Sequence, residues 1–340
     1  MAPVRGTTVG QPLDVAVTAD PVIDEVRHYG RVVVGVDGSS NARHALEWAA
    51  DEARARDAVL HVVYVGPIQP DRVPEWLPDG AGIEAVDQAV VDDAVGLAAL
   101  RHPDLVVRGE VLWGAPSEQL VDAGEEADLL VVGARGSHGF LGLLIGSVSE
   151  RCIHNARGPL AVIRQISDAQ GIPTHGGRVV VGVDGSTDAR WAMRWALDEA
   201  EVRGASVEAV VAWQYPPTHA VVATSALRFA VAAREVERLA KEEAGRWAPD
   251  VPFTVSVRDE AIVPALLDRA RGAELLVVGP HGQGGYRDFL LGSVANQCVH
   301  HAPCPVVVAR HPVVQPTDLR RPTMLLDASY RVDVDAVGGR

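Results

Sequence analysis

Lysine is nearly absent from this sequence: Lys241 is the only one, so arginine supplies every other fixed positive charge. That excludes a P-loop, whose lysine must follow the glycines to reach the β- and γ-phosphates. Lys241 stands in a helix-like run, Ala240-Lys241-Glu242-Glu243, with no glycine loop before it. Positive charge is short overall, with 31 Lys and Arg against 45 Asp and Glu and a net charge of −14. No basic cluster offsets the deficit, which excludes a nucleic-acid footprint, because phosphate backbones recruit basic patches. Three cysteines cannot complete a disulfide framework and fit a reducing cytoplasm. No apolar run approaches the ~18 residues of a membrane helix. The stretch from Met1 to about Gly30 has neither the basic start nor the continuous apolar core of a secretory signal.

What is abundant is aliphatic. The hydrophobic fraction is 47% while aromatics make up 5%, enough Val, Ala and Leu for two cores, and 340 residues suit two domains. The chain is in fact one unit written twice. Arg31-Val-Val-Val-Gly-Val-Asp-Gly-Ser39 recurs as Arg178-Val-Val-Val-Gly-Val-Asp-Gly-Ser186, an offset of 147. Leu129–Gly133 recurs as Leu275–Gly279, and Gly146-Ser-Val148 as Gly292-Ser-Val294, both at an offset of 146. These matches predict domain 1 over 31–164, a polar Gly- and Pro-containing linker over 165–177 and domain 2 over 178–310, with an N-terminal extension over 1–30 and a C-terminal tail over 311–340. Within each unit short apolar runs alternate with helix-patterned segments. In the first, strands are expected at Arg31–Val36, Val59–Val65, Leu105–Leu112, Leu129–Val132 and Leu160–Arg164. Helices fall near Asn41–Arg56, Ile83–Leu100, Pro116–Glu126 and from Ser147. The second repeat ends in Pro305–Ala309, and Trp191, Ala192, Trp195, Ala196 and Glu199 mark its first helix. Strands apolar on both faces, alternating with helices, make an α/β fold with a parallel sheet covered on both sides. Ligands then bind beyond the carboxyl ends of the strands.

Two segments lie there. After strand 1 come Gly35-Val-Asp37-Gly-Ser39 and Gly182-Val-Asp184-Gly-Ser186. An Asp at a strand end can accept hydrogen bonds from ribose hydroxyls or an adenine amine. It can equally cap the next helix while Gly38 makes the turn, unless the serine two positions on does the capping. After strand 4 come Gly133-Ala-Arg135-Gly136 and, nine residues on, Gly146-Ser147, with the twin Gly279-Pro-His281-Gly282 and Gly292-Ser293. Glycines admit phosphate oxygens to the backbone, and the next helix offers its N-terminal N–H groups and dipole. The plainer alternative is a flexible turn with Ser147 as an ordinary N-cap.

Together, the Val-Gly-Val-Asp-Gly-Ser start, the G-x2-G-x9-G-S loop and the Ala302-Pro-Cys-Pro-Val-Val-Val308 ending resemble the ATP-binding subgroup of universal stress proteins, in a tandem form typical of actinobacteria. The resemblance implies two Rossmann-like domains, each a five-stranded parallel sheet of order 3-2-1-4-5 with helices on both faces. It implies Asp37 and Asp184 at the nucleoside, backbone around Val63 and Val210 at the adenine edge, and Gly133, Gly136, Gly146 and Ser147, with Gly279, Gly282, Gly292 and Ser293, at ribose and phosphates. Gly35, Ser39, Arg135, Gly139 and Val148 complete the candidate set in the first half. Gly182, Ser186, His281, Gly285 and Val294 do so in the second. Two departures from the family pattern set the halves apart: His138 where repeat 2 has Gly284, and Pro280, expected to remove one N–H from its anion nest. Strand 5 of each repeat is expected to pair with the other, making a pseudo-dimer within one chain, and two chains are expected to form a homodimer.

Other constellations read as structure. Cys298, His300, His301 and Cys304 look like metal ligands, but repeat 1 offers Cys152 and His154 with Gly158 where Cys304 stands, so they are read as a helix end packing into strand 5. Trp191, Trp195 and Trp213 are read as core or interface, and Asp51-Glu52 and Glu242-Glu243 as solvated helix faces. A dinucleotide site fails because the glycine loop follows strand 4 rather than strand 1. The expected function is ATP-dependent stress or dormancy regulation in the cytoplasm through an unknown protein partner, with Mg²⁺ arriving on the phosphates and no protein metal ligands. The enzymatic alternative, a slow ATPase or a phosphate- or adenylyl-transferring protein, needs a positioned base and concentrated positive charge. The loops offer only Arg135 in one half and His281 in the other.

Overall fold

The computed structural model describes residues 30–67, 80–136, 144–164, 177–212, 223–282 and 291–311, without the side chains of 80–83 and 223–230. His138, Gly139, Trp213, Gly284 and Gly285, most of the linker and nearly all of both terminal extensions lie outside the described residues. Half 1 runs β1 (Arg31–Val36), α1 (Ser40–Ala55), β2 (Val59–Gly66), α2 (Gly80–Arg101), β3 (Val107–Trp113), α3 (Pro116–Gly124), β4 (Leu129–Gly133), α4 (Ser147–Asn155) and β5 (Leu160–Ile163). Half 2 repeats it as β6 (Arg178–Gly182), α5 (Thr187–Arg203), β7 (Ser206–Ala212), α6 (Ala223–Trp247), β8 (Phe253–Arg258), α7 (Ile262–Arg269), β9 (Leu275–Val278), α8 (Ser293–His301) and β10 (Val306–Val308). The start of α2 moves by three residues, from Ile83 to Gly80, and among the strands the start of β3 moves most. Leu105 N–H turns back to the His102 carbonyl at 3.1 Å, so pairing begins only at Val107.

The strands form one ten-stranded sheet, β3-β2-β1-β4-β5-β10-β9-β6-β7-β8, which is the order 3-2-1-4-5 in each half. Alternation along β1 divides the core: Val32, Val34 and Val36 face α1 and α2, while Val33 faces α3 and α4. Helix α1 meets the sheet through Ala42, Ala45, Leu46, Ala49, Ala50 and Ala53, a stripe at helical spacing whose small side chains let the helix lie close. Helix α5 stops at Gly204, held in the left-handed region at φ +64°.

The halves join through β5 and β10, the one antiparallel pair of the sheet, in the register Val162 to Val306, Ala161 to Val307 and Leu160 to Val308. Each strand thereby covers an apolar edge that would otherwise lie open. Two side-chain devices lock the junction, one on each face. On the first, Arg56 of α1 binds Glu52 and Glu199, and Arg203 of α5 binds Glu199 and Glu52, a closed ring of two carboxylates and two guanidiniums. Arg203 lies over Trp48 and Arg56 over Trp195, each at 5.3 Å from the ring centre. On the other face, Arg164 donates to the Val299 and His300 carbonyls at the end of α8, both at 2.8 Å. Arg310 donates to the Ile153 carbonyl near the end of α4 at 2.6 Å.

The reading of Asp51-Glu52 as a solvated face is thus half wrong. Asp51 meets Arg101 and His102 at the surface, but Glu52 is 2% exposed. Helical periodicity cannot distinguish a face turned to solvent from one turned to the other half. Glu242 does sit at the surface with Arg238, whereas Glu243 pairs with Arg194 against α5.

Burial by itself would raise the Glu52 carboxyl, but the Arg56 and Arg203 guanidiniums outweigh it and hold the group at about 2, against an ordinary 4.5. A carboxyl with a lowered folded pKa stabilises fully above its unfolded value. Its contribution is therefore complete above about pH 4.5 and is lost as the pH falls toward about 2, while burial and the facing Glu52 charge push the Glu199 carboxyl the other way. Urea unfolding of the parent should show a falling free energy across that window, while Glu52→Gln should show a shallower fall. Equal pH slopes for the two proteins would mean that another group titrates.

Candidate nucleotide-binding sites

At the end of β1, Gly38 takes φ +75°, the left-handed turn that the sequence requires a glycine to make, and Gly185 does the same at +85°. The capping question is settled by geometry. Ser39 Oγ accepts the Ala42 N–H at 3.1 Å and caps α1, and Ser186 Oγ accepts the Ala189 N–H at 3.2 Å. Asp37 Oδ1 accepts the Ser39 N–H at 3.0 Å and Asp184 Oδ1 the Ser186 N–H at 2.9 Å, closing the turn. The second oxygen of each carboxylate faces the strand-4 loop. A Cβ built on Gly136 would stand 2.5 Å from Asp37 Oδ2, and one on Gly282 would stand 2.6 Å from Asp184 Oδ2.

The loop itself is pinned at its base, where Gly146 N–H donates to the Ala134 carbonyl and Gly292 N–H to the Pro280 carbonyl, both at 2.7 Å. Helices α4 and α8 then begin with glycine at the N-cap, Gly146 and Gly292, which has no side chain to cap the first turn. Ser147 and Ser293 are exposed first-turn residues rather than N-caps, and Val148 and Val294 anchor the turns in the core below. Each site thus brings an aspartate, a glycine stripped of side chain for contact with it, and an uncapped helix N-terminus to the carboxyl end of the sheet. Uncapped N–H groups together with the helix dipole favour an anion.

Other candidates are placed differently. Gly35 and Gly182 pack under Leu120 and Leu266, where a Cβ at Gly35 would come within 2.8 Å of the leucine. Gly133 and Gly279 press on the first turn of α1 and α5, where a Cβ would meet backbone at 2.9 Å. Val63 and Val210 are fully buried inside β2 and β7, short of the strand ends, and the Val210 carbonyl is taken by Val183 N–H at 3.0 Å. A methyl at Gly146 would make ordinary contact with Arg135 Cα at 3.4 Å, while at Gly292 it would crowd the Pro280 carbonyl at 3.0 Å.

The expectation that Pro280 strips an N–H from the nest is corrected. At the equivalent place in half 1 the Ala134 N–H is bound to the Ile163 carbonyl at 2.7 Å, so the proline gives up a sheet bond rather than a ligand contact. Sequence reasoning also missed the partners of the loop. Ser149 Oγ donates to the Gly133 carbonyl at 2.6 Å, where half 2 has Ala295. His281 Nδ1 lies 3.2 Å from Asp188 Oδ2, whereas half 1 carries Asn41 in place of Asp188 and an exposed Arg135 in place of His281. Position two in each first helix would have revealed this had the repeats been aligned side by side.

Cys152, Cys298 and Cys304 are buried and unbridged, and burial pushes each thiol up to about 12. His300 contacts the Asn296 carbonyl at 2.8 Å, and no group of three metal-ligating side chains converges among the described residues. Lys241 pairs with Glu237 along α6. Among the described residues no helix is long and apolar enough to cross a membrane.

The universal stress protein family model matches residues 28–164 and 177–310, both halves. The chain belongs to the universal stress protein family. It is 36% identical over 295 residues to Universal stress protein Rv2005c of Mycobacterium tuberculosis (strain ATCC 25618 / H37Rv), covering 82% of this chain and 96% of that protein. It is 32% identical over 303 residues to Universal stress protein Rv1996 of the same strain, covering 83% and 95%. The crystal structure of a universal stress protein from Archaeoglobus fulgidus DSM 4304 superposes with a TM-score of 0.60 at 18% identity, over 82% of this chain and 98% of that one, a likeness of fold.

In this universal stress protein the loop glycines therefore divide by role. Gly133→Ala should cost on the order of 1–3 kcal/mol of stability, because its methyl meets the backbone of α1. Gly136→Ala meets only a carboxylate that can swing, and should unfold within about 0.5 kcal/mol of the parent. Urea denaturation of the two variants checks this, and equal losses would erase the distinction.

Proposed function

We propose that this universal stress protein binds ATP at one site in each half and acts in the cytoplasm as a nucleotide-dependent stress or dormancy regulator. One observation carries the reading: the same juxtaposition of aspartate, bare glycine and uncapped helix N-terminus is built twice. Asp37 and Asp184 would accept hydrogen bonds from the ribose hydroxyls through their outward oxygens. The first-turn N–H groups of α4 and α8, with the Ser147 and Ser293 hydroxyls, would donate to phosphate oxygens. Mg²⁺ would arrive bound to those phosphates. Nucleotide occupancy would change the surface offered to a regulatory protein partner. A homodimer of chains would have to use a surface other than β5 and β10, which are spent on each other.

Calorimetric titration with ATP and Mg²⁺ should give a stoichiometry near two. Asp37→Ala combined with Asp184→Ala should weaken binding at both sites by about tenfold or more, since hydrogen bonds to charged groups are worth roughly 1.5–3 kcal/mol. A flat titration would sink the proposal. Steady ATP hydrolysis at several turnovers per minute, lost in some variant that still binds ATP, would move the protein to the enzyme class.

The sites should also differ in strength. Half 1 presents Arg135 and the neutral Asn41, whereas half 2 sets the Asp188 carboxylate beside His281. Asp188→Asn should tighten ATP at the weaker site by a few-fold at low salt, an advantage that shrinks with ionic strength. An unchanged second-site affinity would show that Asp188 lies out of range of the phosphates.

A further inference from the structure

Half 1 contains a buried polar cluster without a counterpart among the described residues of half 2. Asp87, on α2, is 3% exposed, and its Oδ2 has no hydrogen-bond partner. The buried indole N–H of Trp113, the last residue of β3, has none either. Both stand against Gly66, the last residue of β2, where a Cβ would come within 2.3 Å of Asp87 Oδ2 and 3.0 Å of Trp113 Cδ1. Glycine at this position leaves the room that the two groups occupy. An unpaired acceptor and an unpaired donor kept side by side out of solvent are costly, and each asks for a partner.

The cluster adjoins the candidate nucleotide site. Burial, then the Asp87 carboxylate to which its hydroxyl is hydrogen-bonded, and then the charge of Asp37 push the Tyr64 phenol up, so Tyr64 links Asp87 to the aspartate at the end of β1. Gly136, Asp37, Tyr64, Gly66 and Trp113 thus follow one another across the carboxyl ends of β4, β1, β2 and β3, which are neighbours in that order. At about 4.8 Å per strand the row spans roughly 14 Å, a length suited to a nucleotide with its phosphates at the α4 end. Its base would then lie toward β2 and β3. A carboxylate repels phosphate and accepts an amine, so the Asp87 end suits the base.

Half 2 is furnished otherwise. Ala94 and Ala98 of α2 recur as Ala240 and Ala244 of α6 at an offset of 146, the same offset that relates Val107 to Phe253 at the start of the third strands. That register puts Ala233 in the place of Asp87 and the exposed Asp259 in the place of Trp113, while the offset of 147 that relates the second strands makes Val211 answer to Tyr64.

We propose that Asp87 and Trp113 form a base-edge subsite in half 1, the carboxylate accepting the adenine 6-amino group and the indole N–H donating to a neighbouring ring nitrogen. Among its described residues half 2, with Ala233 and Asp259 at these places, has no such reader. The two halves therefore differ in what they require of the base, half 1 selecting for the amine and half 2 tolerating its absence. The assignment rests on the nucleotide reading above.

The test uses the full chain with half 2 closed by Gly282→Val, whose side chain would collide with Asp184. It is titrated with ATP and with purine riboside triphosphate, which lacks only the 6-amino group. Half 1 should favour ATP by about tenfold or more, because a site built around a hydrogen bond rejects the analogue that cannot make it. Asp87→Ala, a residue half 2 already carries at this place, should bring the ratio near one while leaving the analogue's affinity at its parental value. Asp87→Asn, of nearly the same shape, should also lose the preference and guards against a packing defect in the alanine variant. With half 1 closed instead by Gly136→Val, half 2 should bind the two nucleotides alike. An ATP preference that survives both Asp87 substitutions, or equal preferences in the two halves, would overturn the subsite and leave the nucleotide sites standing. Binding of neither nucleotide to half 1 would remove the nucleotide reading itself, and the subsite with it.

Discussion

Everything in this molecule is arranged around three pairs of residues: the antiparallel register of β5 against β10. Within each half the strands are parallel, so this one reversed pairing points the carboxyl ends of the two halves in opposite directions. The two candidate sites consequently lie at opposite margins of a single sheet and cannot share one ligand. The same reversal governs α4 and α8. Each starts at its own loop and runs back along the sheet, so its last carbonyls arrive at the margin of the other half. There Arg310 grips the end of α4 and Arg164 the end of α8. The charge of Arg135 is felt by Arg164 and that of Asp188 by Arg310, so each clamp stands within electrostatic reach of the other site's loop. Each of these two helices ties its own loop to the rim of its twin.

On this shared frame the halves have diverged in their polar furnishing. The turn that presents the aspartate makes the same hydrogen bonds in both halves, because its parts depend on each other: the glycine supplies the left-handed step, the serine caps, and only then is one carboxylate oxygen turned toward the strand-4 loop. Residues outside that interlock are free to vary, and they do. Asn41 and Asp188, Arg135 and His281, Ser149 and Ala295, and Asp87 and Ala233 all stand at equivalent places. None of these exchanges disturbs a strand or a cap, so duplication left the scaffold intact while the chemistry of the two sites moved apart.

Much of the fold was legible in sequence, for a physical reason. Strands such as Val32–Val34 and Leu129–Val132 are buried on both faces, and a run of β-branched and aliphatic residues that short has few other uses. The turn chemistry of Asp37-Gly38-Ser39 was legible too, down to the alternative in which the serine caps. Contacts between segments distant in the chain were not. Glu52 reads as one more acidic residue on an amphipathic helix until Glu199 and Arg203 are brought to it, Arg203 from 151 residues away. Asp87 carries a fainter signal: with Val91, Ala94 and Ala98 it continues the buried stripe of α2, so a charged residue stands where the helical pattern asks for an apolar one. Spacing also blended two kinds of glycine. Gly133 and Gly136 belong to one motif, yet the first makes room for a helix backbone and the second for a carboxylate.

The ring of Glu52, Arg56, Glu199 and Arg203 shows why the halves meet in one way only. Buried ion pairs recover little net energy, because desolvation offsets most of the Coulombic gain, and an apolar contact between α1 and α5 would serve cohesion as well. What apolar contact does not supply is register. The stripes that α1 and α5 turn toward the sheet are largely alanine, smooth enough to tolerate sliding. Each guanidinium, however, bonds one carboxylate on its own helix and one on the other. Displacing α5 by one turn would keep the pair within each helix, Arg56 with Glu52 and Arg203 with Glu199, but would break both bonds between the helices and leave every group of the ring one buried partner short. The sheet pairing through β5 and β10 cannot enforce this alone, since a slip of two residues in a valine-rich strand keeps every side chain on its proper face. Ring and strands together fix what neither fixes separately, and the position of each loop relative to the opposite clamp follows from that.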